Sequence, residues 1–78
     1  ENFRDKNIKL IPNPTDGIIN IDSNKNYQIE VFSNHGKSVF ATFGNKINIA
    51  HVQNGIYFIK LTEENSGNTL SYRVIKKD

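Results

Sequence analysis

His35 and His51 are the chain's two histidines, and nucleophilic catalysis at neutral pH needs such a base beside a hydroxyl or thiol and held by an orienting group. His35 falls in a predicted hairpin turn and His51 in a loop, with no G-x-S-x-G near either, so both read as solvated turn residues. Glu63 and Glu64 are neighbours at a predicted strand end and point to opposite faces, which denies them the joint proton transfer of paired carboxylates. The run "DSNKN", Asp22 to Asn26, opens like a calcium loop, but Tyr27 stands where the glycine belongs and Ser33 where the bidentate glutamate belongs. It reads as a polar connection between strands. Cysteine is absent, which removes thiolate chemistry and any disulfide framework. "NPT" at Asn13 to Thr15 is closed to glycosylation by its central proline. The expectation is no catalytic centre, no metal and no cofactor.

The elements that would carry any site are short β runs. They are Ile8 to Ile11, Gly17 to Asp22, Tyr27 to Ser33, Lys37 to Phe43, Lys46 to Ala50, Gly55 to Thr62 and Thr69 to Lys76, separated by "DSNKN", "SNHGK", "FGNK", "VQNG" and "ENSGN". Seven short strands at this spacing, with no helical period, predict an all-β antiparallel sandwich or small barrel. "SNHGK" and "ENSGN" are expected to close hairpins, the first with Gly36 in a left-handed conformation. "PNPTDG", Pro12 to Gly17, cannot lie inside a sheet and reads as a corner into the second strand, with Gly17 free to take a positive φ.

Alternation assigns Ile19, Ile21, Ile29, Val31, Val39, Ala41, Phe43, Ile47, Ile49, Tyr57, Ile59, Leu61, Leu70, Tyr72 and Val74 to the core. The opposite phase is mostly polar but holds Ile18, Phe32, Phe40, Ile56, Phe58 and Ile75, too many for an idle surface if they cluster. At 78 residues the chain allows one domain with a small core, and with no methionine it is expected to be a fragment or excised domain of something larger. Its net charge of +2 is dispersed, which calls for neither a nucleic acid nor a membrane surface. No apolar run approaches the roughly 18 residues that span a bilayer, so stable membrane insertion is not expected. An oligonucleotide-binding barrel is a weaker reading, since most tyrosines fall in the core phase and Lys and Arg do not line up with Phe32, Phe40 and Phe58.

Four segments taken together, "PNPTDGIINI", "IEVFSNHGKSVF", "NIAHVQNGIYFIKL" and "YRVIKK", resemble the type A C-terminal sorting domain of the type IX (Por) secretion system. The resemblance runs from Ile8 to Lys77, in family order and spacing. It implies an immunoglobulin-like β-sandwich ending a cargo protein, residues 8–78, with Glu1 to Asn7 as the tail of a linker from the upstream cargo domain. The domain would be an address label and not an enzyme. Its partners would be the outer-membrane translocon with its shuttle and sortase components. The cargo would pass through the periplasm to the cell surface or the medium, the domain being cleaved off and the cargo attached to anionic lipopolysaccharide.

Carried over by motif, the recognition residues are Pro12, Asn13, Pro14 and Gly17 in the opening, Gly36 and Lys37 in the turn, Gly55 and Tyr57 in the fifth segment, and Arg73, Val74, Lys76 and Lys77 at the end. Beside this stand purely structural expectations. Gly17, Gly36 and Gly55 sit where only glycine escapes a Cβ clash, and Tyr57 is a core ring whose hydroxyl finds a backbone partner. Lys76 and Lys77 are expected beyond the last buried strand position, so that removing Lys76 to Asp78 barely moves the melting temperature. The rival functions are an immunoglobulin-like adhesion or glycan-binding module of a secreted enzyme, which should present a concave aromatic strip or a metal loop, and an inert spacer.

Overall fold

The computed structural model describes residues 9–11 and 15–78. Seven strands form two antiparallel sheets: β1 (Leu10–Ile11), β2 (Ile18–Ile21) and β5 (Lys46–Asn48) in the order β1-β2-β5, and β3 (Tyr27–Ser33), β4 (Ser38–Gly44), β6 (Gly55–Glu63) and β7 (Thr69–Lys76) in the order β4-β3-β6-β7. The chain crosses between the sheets after β2, β4 and β5, as an immunoglobulin-like sandwich requires. Each strand lies within one or two residues of its expected place, save that the expected start of β1 at Ile8 and the corner residues Pro12, Asn13 and Pro14 fall outside the described residues.

Inward positions alternate as a half-buried pleat demands. Ile19, Ile21, Ile47 and Ile49 meet Tyr27, Ile29, Val31, Tyr57, Ile59, Leu61 and Val74 between the sheets, with Leu10 closing one margin and Leu70 and Tyr72 packing on the core half-buried. At about 1.5 to 3 kcal/mol for each fully buried aliphatic or aromatic side chain, this cluster is the main favourable term for the fold.

β4 departs from the expected phase. Val39 and Phe43 are 40% and 50% exposed and Ala41 also faces out, whereas Phe40 turns in against the core. The cause is a register shift in β3·β4. Val31 pairs with Phe40 but the next residue, Phe32, pairs with Ser38, so β4 holds an extra residue. A bulge of this kind reverses the face of everything beyond it relative to simple alternation.

Gly36, at φ 83°, closes the β3–β4 turn as expected, where a side chain would be strained. Gly17 has a different reason from the one expected: its φ is not positive, and a Cβ there would lie 2.9 Å from the Cβ of Ala50 and 3.3 Å from its Cα. Close approach of two backbones demands that glycine. At Gly55 an added Cβ would meet nothing within 4 Å, but its φ of 157° is one an L side chain rarely adopts, so glycine is required there by its own backbone and not by a neighbour.

Candidate functional site

The sequence-assigned recognition residues come from four separate stretches, and the strand register carries most of them to one end of the sandwich. Tyr57 lies between Ser33 and Val74, and Gly55 lies opposite Lys76. The turn holding Gly36 and Lys37 follows Ser33, and the Gly17 carbonyl accepts from the Ile49 N–H (2.8 Å) just after β5. Gly17, Gly36, Lys37, Gly55, Tyr57, Val74, Lys76 and Lys77 therefore share the end at which β7 finishes, here the tail end. Arg73 stands slightly inward on the outer face of the larger sheet, opposite Phe58.

The corner and the tail, expected as two separate features, are bonded to each other. The Thr15 N–H donates to the Ile75 carbonyl (2.8 Å), and the Lys77 N–H donates to the Thr15 carbonyl (2.7 Å), making a parallel bridge. Thr15 is buried, its hydroxyl donating to the Ile18 carbonyl (3.1 Å) and accepting from the Gly17 N–H (3.0 Å). One threonine thereby fixes the corner locally and clamps it to the last strand.

Lys76 corrects the expectation made for it. It is 2% exposed, because alternation along β7 through Leu70, Tyr72 and Val74 turns position 76 inward as well. A buried ammonium needs all three of its N–H donors satisfied, and it meets the Val52 carbonyl at 3.2 Å, Asn54 Oδ1 at 3.2 Å and Asp78 Oδ2 at 3.4 Å. A side chain so placed ties the tail to the β5–β6 loop and carries structural weight, so its removal cannot be neutral. Asp78 is held below the usual carboxylate range, first by a hydrogen bond from Asn54 and then by the Lys76 cation. Because its folded value is depressed, the stability it adds is present above the ordinary carboxylate range and is lost as pH falls through the lowered value. Lys77 remains exposed, and its backbone is engaged in the bridge.

Tyr57 is buried and its hydroxyl donates to the Gln53 carbonyl (2.7 Å), four residues upstream. That is the arrangement of a tyrosine corner in immunoglobulin-like folds, and it pins the same β5–β6 loop that Lys76 reaches. Sequence reasoning missed Thr15, Asn54 and Ala50 as partners in this junction. The threonine two residues before Gly17 was a readable signal, since a hydroxyl there closes a local turn.

Of the apolar residues expected in the outward phase, Phe40 points inward and Ile18 lies on the other sheet. The remaining four do cluster. Phe32 pairs with Phe58 and Phe58 with Arg73, while Ile56 pairs with Ile75 one row nearer the tail end. The outer face at the tail end is thus an apolar strip with Arg73 and Lys77 beside it. By contrast, the groove of about 250 Å³ at the opposite end is lined by Lys25, Asn26, Glu63, Glu64 and Asn65 and carries no aromatic ring. Among the described residues no three His, Cys, Asp or Glu side chains converge as a metal ion would need.

Residues 9–77 match the family model described as the secretion system C-terminal sorting domain. The chain belongs to that family. No curated protein and no solved structure matches it. The sorting domain is a secretion signal of the type IX system, not a catalytic module, and as such it is the tail of a cargo protein exported across the outer membrane to the cell surface or beyond.

Proposed function

We propose that the secretion machinery reads this sorting domain at its tail end, recognising the strip Phe32, Ile56, Phe58 and Ile75 together with Lys77, Arg73 and the Gly36–Lys37 turn. The observation that carries this reading is convergence: motif residues scattered from Gly17 to Lys77 meet at one end, beside an apolar strip of a kind that isolated exposed residues do not form. Apolar surface with a cationic rim is the composition of a protein-docking patch. Thr15 to Gly17, bonded to the tail, present it as one surface, and Pro12, Asn13 and Pro14 precede them in the sequence. In this reading the cargo crosses the periplasm first. The translocon and its shuttle component bind the tail end, and a sortase-like peptidase then cuts in or near residues 1–7 and attaches the cargo to the cell surface.

The test is a reporter carrying its own export signal, fused upstream of residues 1–78 in a host with this secretion system. The reporter is expected outside the cell. Retention of the intact, folded fusion in the periplasm contradicts the function, and loss of export on substituting Phe58 and Ile75 with serine, with the fold intact, supports the site.

A further inference from the structure

The two edges of the four-stranded sheet are treated differently. β7 carries Arg73 and Lys76 and is bridged by Thr15, whereas β4, Ser38 to Gly44, carries no charged residue and no proline, and among the described residues no strand pairs with it on the side away from β3. An edge strand directs alternate N–H and C=O groups outward, and such edges are normally guarded by charge, proline or a covering segment. The bulge lies in the first residues of β4 and leaves the stretch from Phe40 regular.

We propose that this edge is a self-association surface, pairing antiparallel with β4 of a second copy about a two-fold axis at Ala41. The sequence of the strand is self-complementary about that point. Val39, the extra residue of the bulge, comes beside Phe43 of the second copy and Phe43 beside its Val39, so the two most exposed apolar residues of the strand cover each other on the outer face. Phe40 faces Thr42. The paired stretch, Ser38 to Gly44, holds no charged residue, so no like charges confront one another within it. Pairing would join two four-stranded sheets into one of eight, an isologous contact that closes on itself and adds no further copies at this edge. One seven-residue edge falls short of the 1,200 Å² or so of a stable interface, so the contact forms where copies are crowded. A heterologous strand would bind the same groups, but it is not favoured by this match of the strand to itself.

Sedimentation equilibrium on residues 1–78 checks this. The weight-average mass should climb from 8.9 kDa towards twice that value as concentration is raised, and should stay monomeric for Ala41→Lys. That variant places two ammonium groups at the axis, yet in the monomer sets the lysine opposite Glu30. Because the chain has no cysteine, Ala41→Cys gives a second readout: either spacing of antiparallel partners, about 4.5 or 5.5 Å between Cα atoms, suits a disulfide. A covalent dimer should accumulate on mild oxidation far faster than from Ser71→Cys on the β7 strand. A constant monomer mass with equal, slow dimer formation by both cysteine variants overturns the proposal and leaves the edge to a foreign strand.

Discussion

The two ends of this sandwich are closed by different kinds of connection. At the tail end, Thr15 binds Ile75 and Lys77, Lys76 reaches Val52 and Asn54, and Gly17 lies against Ala50. These contacts join stretches of chain 22 to 62 residues apart. At the opposite end the β2–β3 and β6–β7 turns are held mainly within themselves: Lys25 N–H to Ser23 Oγ, Asn68 N–H to Ser66 Oγ, Gly67 N–H to the Glu63 carbonyl, with an exposed Lys25–Glu63 ion pair at 3.4 Å between the two turns, and the longer-range bonds there, Asp22 N–H to the Lys9 carbonyl and Ile21 N–H to the Asn45 carbonyl, are backbone bonds that continue the smaller sheet. A local turn can be altered without consequence elsewhere. A junction of three distant segments cannot, and it is such a junction that can hold a composite surface in one shape for a receptor.

The contrast is broken most severely at Lys76. Lys76→Ala empties a buried position and takes a donor from the half-buried Val52 carbonyl and from Asn54 Oδ1, and is expected to cost about 1 to 3 kcal/mol, read by chemical denaturation; a cost below about half a kcal/mol would mean that the tail is not part of the junction. Next is Gly17→Ala, which forces the corner away from Ala50 and should cost about 1 to 3 kcal/mol as an overpacked contact. Combining it with Ala50→Gly should restore much of that loss, and absence of any recovery would point to a cause other than the Cβ contact. Tyr57→Phe removes the bond to Gln53 while keeping the ring, for roughly 1 kcal/mol in the same assay. Lys25→Ala at the other end breaks only a solvated ion pair and should shift stability by less than about 0.5 kcal/mol; a change as large as that for Tyr57→Phe would erase the distinction between the ends.

Strand positions were legible because period-two alternation and Asn-Gly-Ser-rich breaks are local signals, and the left-handed Gly36 and the capped Tyr57 hydroxyl followed from residue type alone. Three features were hidden for physical reasons. The bulge after Val31 leaves no mark in composition, yet it reverses Val39, Phe40, Ala41 and Phe43. Gly17 was read as a turn glycine because its neighbour Ala50 is brought to it only by the tertiary fold. Lys76 could have been found, since the alternation that placed Val74 inside continues to it. Its charge argued otherwise, lysine being almost never fully buried unless its ammonium is matched. The matching acceptors come from a loop more than 20 residues earlier, which no local pattern reports.

The central claim, that the tail end is the surface the machinery reads, is tested most directly with exposed side chains whose loss leaves the junction intact. Lys37→Ala with Lys77→Ala at the tail end, and Lys25→Ala with Glu64→Ala at the other, can be compared in the exported reporter fusion, each first shown to be folded by its unfolding transition. The tail-end pair is expected to hold the reporter in the periplasm while the opposite pair exports it at the unmodified level. Equal export by both, or retention by the Lys25 and Glu64 pair alone, would contradict the account.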